Sequence, residues 1–425
     1  MKVHVHLLIA CAVAASAMLH GCGGGGGGDS APAGGTPAAA APASSTTVAS
    51  GAAPASASPP DNTVAQSTTP NVQPIHVTKL DTGTRNMLQT SVTICVPGTS
   101  NCQTIDDIQV DTGSQGLRIV ASAISPALAL PPVTASNGSI AASCTVFGSG
   151  YTWGAVRSAD IRLAGHVAGA TPIQVIADLA VPAAATDCAK SGLPMLTAAR
   201  LRGNGILGVG PFSADCGAAC ASSPLPRWYY ACNAGTCVSS ALAVAQQVAN
   251  PVSRFPADNN GVLIELPPVP DLGASEVHGT LTFGIGSQAN NLLGDATVLP
   301  GNAYSGYVTT EFDGRTFATS FIDSGSNGLF FPSNTLTVCG VWYCPPTAQN
   351  LAARIRSGSG ATRDVSFAVS TSTALFASGN NAFANLAGPV GNFFDWGLPF
   401  FYGRRVFTAL ENRVTPAGKG PYYAF

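Results

Sequence analysis

The chain has 425 residues, of which 9% carry a charged side chain, and its formal net charge is −2. This length allows two domains, each with a sizeable core. Because a net charge so close to zero provides no extended basic surface, we expect no nucleic-acid partner.

The N-terminus has the features of a bacterial export signal. Lys2 precedes an apolar run over residues 7–18 that is too short for a typical membrane span. The following LHGC, residues 19–22, resembles a lipobox, in which cleavage leaves a lipid-modified cysteine as the first residue. We therefore expect residues 1–22 to be a lipoprotein-type signal peptide and Cys22 to anchor the protein to a membrane; an ordinary secretory signal is the alternative. Both interpretations export the protein, to the outer membrane, the periplasm or the medium.

Residues 23–70 form a segment of very low complexity. Gly, Ala, Pro, Ser and Thr make up nearly all of it, and Asp29 and Asp61 are its only charged residues. Such a composition buries too little apolar surface to offset the entropy lost on ordering. We expect a disordered linker that separates a folded body from the membrane.

The cysteine content fits an exported protein. Of twelve cysteines, Cys11 lies in the signal and Cys22 at the lipobox, which leaves ten. An even number in an oxidising compartment predicts disulfides. The short spacings favour the pairs Cys95 with Cys102, Cys144 with Cys188, Cys216 with Cys220, Cys232 with Cys237, and Cys339 with Cys344. Zinc bound by CGAAC and CNAGTC is the alternative, but no histidine lies near either segment, and we expect no metal site.

Beyond the linker, short alternating or β-branched segments predict a mostly β protein. These segments are TSVTIC, IDDIQV, ADIRLAG, PIQVIADL, GVLIEL, GTLTFGIG, GYVTTEF and RTFATSFI, and turn signals such as PGTSN and FDGR separate them. Helical periodicity is weak, and residues 239–249, SSALAVAQQVA, are the best candidate for a helix.

One motif occurs twice in the chain. VDTGSQGLRI at residues 110–119 and IDSGSNGLFF at residues 322–331 share an acid, a small hydroxylated residue, glycines and an apolar end. The repeat predicts two lobes of similar design, each of which presents one carboxylate, Asp111 or Asp323. In each loop a glycine permits a tight turn, one hydroxyl braces the other loop, and a second hydroxyl binds the carboxylate. These residues are Gly113, Thr112 and Ser114 in the first loop, and Gly325, Ser324 and Ser326 in the second.

Two adjacent acids have a chemical consequence. When two carboxyl groups share a site, both cannot ionise freely, so one keeps its proton beside the charge of the other. Asp111 and Asp323 would thus supply an acid and a base to one reaction.

The chain resembles the pepsin-like aspartic peptidases, in which each lobe contributes an Asp-Thr/Ser-Gly motif to a catalytic pair. GYTWGAVRSADIRLAG resembles the family's flap hairpin, with Tyr151 and Gly154 as its tyrosine and glycine. GNGILGVGPFS and FFDWGLPFFYGRRVFTALE are similar to the strands that thread the two catalytic loops, and GTLTFGIG to the strand that opens the second lobe. The resemblance covers residues 86–425 in the family's order.

This resemblance implies a fold and an activity. The fold would be bilobal, with two pseudo-symmetric β lobes at residues 86–274 and 275–425 and a central cleft. The activity would be that of an aspartic endopeptidase that acts on peptide or protein substrates as a monomer and without a cofactor.

Three positions depart from the family pattern or imitate it. Arg118 stands where the family has an aromatic residue that supports the flap tyrosine, and WGLPFF lacks the usual acid after its glycine. A third Asp-Thr-Gly begins at Asp81, but no strand hairpin precedes it, so we interpret it as a plain turn. A catalytically drifted pepsin-like module for binding or inhibition is the alternative function. A two-carboxylate glycosidase ranks last, because it does not need paired glycine-flanked loops.

Overall fold

A computed structural model of the protein describes residues 70–425. The sequence predictions for the signal peptide, for lipidation of Cys22 and for residues 23–69 of the linker lie outside the described residues. Within the described range, none of the helices combines the length and the apolar composition that crossing a membrane requires.

The described chain is mostly β structure, as the sequence predicts, and each of the segments singled out above contributes to a strand. The strands of the first part of the chain are β1 (Val72–Val77), β2 (Gln89–Cys95), β3 (Cys102–Asp111), β4 (Gln115–Val120), β5 (Ile140–Phe147), β6 (Gly150–Leu163), β7 (His166–Ile176), β8 (Gly205–Val209), β9 (Tyr229–Cys232), β10 (Cys237–Ser239), β11 (Gly261–Leu266) and β12 (Val277–Phe283). The remaining strands are β13 (Val298–Pro300), β14 (Val308–Phe312), β15 (Arg315–Ile322), β16 (Leu329–Phe330), β17 (Val338–Cys339), β18 (Trp342–Tyr343), β19 (Gln349–Arg356), β20 (Thr362–Val369), β21 (Ala387–Gly388), β22 (Phe394–Trp396), β23 (Arg404–Ala409), β24 (Val414–Thr415), β25 (Gly418–Lys419) and β26 (Tyr422–Ala424).

The helices of residues 70–425 are all short. They are α1 (Thr186–Ala189), α2 (Ala198–Leu201), α3 (Ala218–Ser222) and α4 (Ser372–Ala377), with 3-10 turns at Ala121–Ala123, Val244–Gln246, Pro251–Arg254, Ala289–Asn291 and Leu398–Phe400. The helix predicted over residues 239–249 is wrong, since only one 3-10 turn forms there. Tertiary hydrogen bonds compete with a helix here: the amides of Ser240 and Leu242 donate to the carbonyls of Tyr229 and Cys220.

Two sheets of fifteen and seven strands contain most of the described strands. In the larger sheet β8 lies between β3 and β4, parallel to β3 and antiparallel to β4. In the smaller sheet β22 lies between β15 and β16 with the same two orientations. The two sheets therefore repeat one arrangement, in which a strand from later in the chain inserts between two strands joined by a tight loop.

Glycines make each insertion possible. A Cβ on Gly208 of β8 would lie 2.6 Å from the carbonyl carbon of Gln115, and one on Gly397, just after β22, would lie 2.0 Å from the carbonyl oxygen of Gly328. Both distances are too short for any side chain. The loop after β3 and the loop after β15 are thus held tightly against the inserted strands.

Strand structure begins earlier than the sequence predicts. β1 precedes residue 86, the predicted start of the first lobe, and pairs antiparallel with β12 from Val72 opposite Thr282 to Val77 opposite Val277. Its alternating burial is typical of a strand with one face on the core. The short alternation VQPIHV, next to the low-complexity linker, could have indicated this strand.

The predicted disulfides are confirmed. Cys95–Cys102, Cys144–Cys188, Cys216–Cys220, Cys232–Cys237 and Cys339–Cys344 are all bonded. These bonds contradict the alternative of zinc at CGAAC and CNAGTC, because the sulfurs are already joined to each other. Five disulfides fit an extracellular or periplasmic location.

Candidate active site

The loops that follow β3 and β15 are joined by reciprocal hydrogen bonds. The Thr112 amide donates to Oγ of Ser324 at 3.1 Å, and the Ser324 amide donates to Oγ1 of Thr112 at 2.9 Å. Each hydroxyl also donates across to the other segment: Thr112 to the carbonyl of Ile322 at 3.0 Å and Ser324 to the carbonyl of Val110 at 2.8 Å. All four bonds are buried, so the two loops are fixed to each other as the sequence predicts.

Each loop holds its own carboxylate in the same way. Asp111 accepts from the amide of Gly113 at 2.7 Å and from the hydroxyl of Ser114 at 2.5 Å. In the second loop Asp323 accepts from the amide of Gly325 at 2.7 Å and from the hydroxyl of Ser326 at 2.9 Å. Neither carboxyl group can rotate without losing two hydrogen bonds.

The two carboxyl groups meet. A Cβ on Gly113 would lie 2.6 Å from Cγ of Asp323. On the other side, a Cβ on Gly325 would lie 2.6 Å from Oδ1 of Asp111. Any larger residue at either glycine would push the acids apart.

The surroundings of the pair raise the pKa of one of its two carboxyl groups. Asp111 is 6% exposed. Burial, followed by the charge of Asp111 and that of Asp395, raises the pKa of Asp323 well above the usual range for aspartate. Asp323 thus retains a proton at a pH where an ordinary carboxyl group is ionised. A protonated and an ionised carboxyl group side by side can perform acid and base catalysis.

The third Asp-Thr-Gly lies in an exposed turn. Asp81 is exposed at a turn closed by a hydrogen bond from the Gly83 amide to the Leu80 carbonyl. The interpretation of Asp81 as a plain turn residue is confirmed.

The residues predicted for the flap occupy a packed position. Tyr151 is 6% exposed and lies in an apolar cluster with Trp153 and the Cys144–Cys188 disulfide. Its backbone amide donates to the carbonyl of Leu193 at 2.8 Å. Gly154 is needed by the sheet, since a Cβ there would lie 1.8 Å from the carbonyl oxygen of Val175.

The other face of the same hairpin carries Phe147. This residue ends β5 beside the exposed turn residues Gly148 and Ser149, and its side chain is partly exposed. The guanidinium carbon of Arg118 lies 5.8 Å from the centroid of the Phe147 ring. Phe147, rather than Tyr151, is therefore the aromatic residue at the hairpin end that contacts the segment following Asp111.

Arg118 is held by a buried polar network. Its guanidinium forms a salt bridge of 3.1 Å with Asp215 and donates to Oγ1 of Thr145 at 3.1 Å. The hydroxyl of Tyr229 donates to the other oxygen of Asp215. Burial raises the pKa of Asp215 to about 6, although the charge of Arg118 and the bond from Tyr229 act in the opposite direction. Arg118 thus links the segment after Asp111 to β5.

A family model described as Protein of unknown function (DUF3443) matches residues 67–425. The chain belongs to this family. The match includes both loops and all the strands that position them. A search of curated proteins found no match to the chain.

One acid of this site escaped the sequence analysis. Asp395 lies on β22, is 4% exposed, and interacts with the Ser326 hydroxyl that also binds Asp323. Burial, together with the charge of Asp111, raises its pKa well above the usual range against the effect of Ser326. An acid inside the apolar run FFDWGLPFF was the available signal. The site therefore contains three carboxyl groups rather than two.

Proposed function

We propose that the protein is an exported aspartic endopeptidase with a bilobal pepsin-like fold. The observation that carries the proposal is the pair of Asp-Thr/Ser-Gly loops, joined by reciprocal Thr112 and Ser324 hydrogen bonds, with both carboxyl groups close to Gly325. The duplicated insertion of β8 and β22 supports two related lobes, at residues 86–274 and 275–425, with a cleft between them.

The proposed reaction uses a water molecule bound between the acids. As the water oxygen attacks the peptide carbonyl carbon, the Asp111 carboxylate takes a proton from that water and Asp323 gives its proton to the carbonyl oxygen. The tetrahedral diol then breaks down: Asp111 returns its proton to the amide nitrogen, the carbon–nitrogen bond cleaves, and Asp323 recovers a proton from one hydroxyl. The products are an amine and a carboxylic acid, and the pair regains its starting state.

The hairpin of β5 and β6 would cover the substrate. We assign the covering side chain to Phe147, because Tyr151 is fixed in the cluster on the opposite face. Closure of such a hairpin would exclude water from the reacting bond.

A pepsin-like binding or inhibitor module is the second candidate, and Asp395 is the observation that favours it. A third buried acid beside Asp323 makes ionisation of the group harder. If the site held no ionised acid at physiological pH, it would bind peptides without cleaving them.

Membrane attachment through a lipid on Cys22 stays a prediction, and so does a monomeric state. The disulfides support a location outside the cytoplasm. The substrate would then be a peptide or protein in the periplasm or at the cell surface.

The test is cleavage of a denatured protein by the purified, disulfide-bonded protein, followed by mass spectrometry over acid and neutral pH. Wild type and Asp81→Asn should cleave, because Asp81 has the same tripeptide in an exposed turn. Asp111→Asn and Asp323→Asn should each lose about a hundredfold or more in rate. Pepstatin, whose statine hydroxyl mimics the attacking water, is expected to inhibit. A folded wild type that cleaves nothing at any pH would favour the binding module.

A further inference from the structure

Asp395 stands on the same sheet face as two aromatic side chains. In the register of the smaller sheet, Phe321 of β15 and Phe330 of β16 lie directly opposite Asp395 on β22. Directly opposed residues point to the same side of a sheet. Asp323 follows Phe321 by two positions, so it continues the same face toward the reacting acids.

The aromatic residues form two walls around this acid. The ring of Phe321 stacks on that of Phe393, with centroids 5.6 Å apart and an angle of 22° between the planes. On the other side, the ring of Phe330 lies 5.5 Å from that of Trp342. Phe321 and Phe330 are both partly exposed, so part of each ring is accessible to a ligand.

One oxygen of the Asp395 carboxyl group has no partner in the described part of the protein. Its Oδ1 is buried and has no hydrogen-bond partner in the described chain, and the salt bridges of residues 70–425 do not include it. Leaving a buried carboxyl oxygen unpaired is costly, and proteins rarely accept this without a functional reason.

The properties of this position match one class of ligand. A lysine or arginine side chain supplies a hydrogen-bond donor and a positive charge for the carboxylate, and its cationic group is attracted to aromatic faces. An apolar side chain would leave Oδ1 unpaired, and an acidic one would add a further like charge beside Asp395, Asp323 and Asp111.

We propose that Asp395 determines specificity by binding a lysine or arginine side chain of the substrate next to the scissile bond, on the Asp323 side. This inference rests on the proposed peptidase function. Burial favours the neutral acid when the position is empty, and an arriving cation supplies the countercharge that stabilises the carboxylate.

The test compares two peptides that differ only at one residue beside the cleaved bond, which is lysine in one and methionine in the other. The comparison is made once with this residue before the cleaved bond and once with this residue after it. Wild type should prefer the lysine peptide in kcat/KM. Asp395→Asn should reduce this preference by about tenfold or more, measured as the ratio of kcat/KM for the two peptides at the pH optimum of each protein, and Asp395→Glu should keep part of it. Asp364→Asn, which removes an exposed acid from β20, serves as the control and should keep the full preference.

Two outcomes would overturn the inference while leaving the peptidase function intact. One is a wild type that cleaves both peptides equally; the other is an Asp395→Asn variant that loses activity on both by the same factor, as a merely structural role predicts. If wild type cleaves neither peptide, the peptidase proposal fails. Isothermal titration of both peptides then tests whether Asp395 binds a basic side chain. Tighter binding of the lysine peptide by wild type than by Asp395→Asn would still support it, and equal binding would reject it.

Discussion

Thr112 and Ser324 lie 212 positions apart in the sequence, and each hydroxyl accepts a hydrogen bond from the backbone amide of the other residue. Each also donates to a carbonyl of the opposite segment, so two short side chains satisfy four buried backbone groups. The relative position of Asp111 and Asp323, the residues just before them, depends on these bonds. The link is thus both a stability element and the alignment device of the proposed catalytic pair.

Replacement of Thr112 by valine keeps the shape of the side chain but removes the hydroxyl. We expect a loss of about 1–3 kcal/mol in the free energy of unfolding, because the Ser324 amide and the Ile322 carbonyl remain buried without a partner. Activity should fall further than stability alone explains, since the two acids lose their alignment. Thr112→Ser retains the hydroxyl and should recover most of both quantities, measured by denaturant unfolding and peptide cleavage. Equal activity of the valine and serine variants would contradict the alignment role.

The buried acids predict an unusual dependence of stability on pH. An unfolded aspartate has a pKa of about 3.9, while Asp323 and Asp395 have raised values in the fold and Asp215 has a pKa of about 6. At a pH between the unfolded pKa and the raised folded pKa of such a group, the folded state binds more protons than the unfolded state. The contribution of these groups to stability is therefore full below the unfolded pKa and is lost as pH rises through the folded pKa.

Asp395→Asn isolates one of these contributions. Relative to wild type, the variant should gain stability on going from acid to neutral pH, because asparagine does not ionise in the buried position. The measurement is the difference in unfolding free energy between the two proteins at several pH values. Asp364→Asn provides the contrast, since Arg354 lowers the pKa of that exposed acid. A wild-type advantage that grows toward neutral pH would contradict the raised pKa of Asp395.

The sequence predicted the parts of this site that depend on local chemistry. Two loops with the same order of acid, hydroxyl and glycine gave the partners of Asp111 and Asp323, and alternating apolar residues gave the strands. The close cysteine pairs also emerged, because short loops leave few alternatives for pairing. In each case neighbouring residues in the chain carry the information.

Features that depend on which strands become neighbours were missed. Tyr151 and Phe147 are four positions apart around a hairpin turn, and only the paired register of β5 and β6 decides which of them faces Arg118. Similarly, Asp395 acquires its surroundings when β22 inserts between β15 and β16. Residues 239–249 have helical spacing, but tertiary hydrogen bonds override that weak preference.

The buried pair of Arg118 and Asp215 predicts a large and asymmetric mutational effect. Arg118→Met leaves the Asp215 carboxyl buried with only the Tyr229 hydroxyl as a side-chain donor, and should cost about 3–5 kcal/mol in unfolding free energy. The double variant Arg118→Met with Asp215→Leu removes both charges and should recover much of that loss. Denaturant unfolding of the wild type, both single variants and the double variant measures the coupling. A double variant as unstable as the sum of the singles would show that the pair does not interact.

The disulfides should differ in their effect on stability because they close loops of different length. Cys144–Cys188 spans 44 positions, whereas Cys216–Cys220 spans 4. On the chain-entropy estimate, removing the first by a double serine substitution costs about 4 kcal/mol and removing the second about 2 kcal/mol. Thermal unfolding of the two double variants measures the order. Because the first bond also packs against Tyr151, a smaller effect from it than from Cys216–Cys220 would contradict both the entropy estimate and the packing.

Alanine substitutions of Phe147 and Tyr151, which lie on one hairpin, should differ in their effects on stability and on peptide cleavage. Tyr151 is buried against Trp153 and a disulfide, so Tyr151→Ala should create a cavity and destabilise the fold by about 3–5 kcal/mol. Phe147 is partly exposed beside the turn, contacts Arg118 and packs against a cluster that includes Val120 and Met195, so Phe147→Ala should destabilise the fold less than Tyr151→Ala while lowering kcat/KM, because the proposed cover over the substrate is lost. Tyr151→Phe keeps the ring in the cluster and should leave both quantities close to wild type, which separates packing from any role of the tyrosine hydroxyl. The pair of measurements is peptide cleavage and thermal unfolding on the same preparations. If Tyr151→Phe abolished cleavage while Phe147→Ala left it unchanged, the hydroxyl of Tyr151 would have to reach the acids, and the assignment of the covering residue to Phe147 would be wrong.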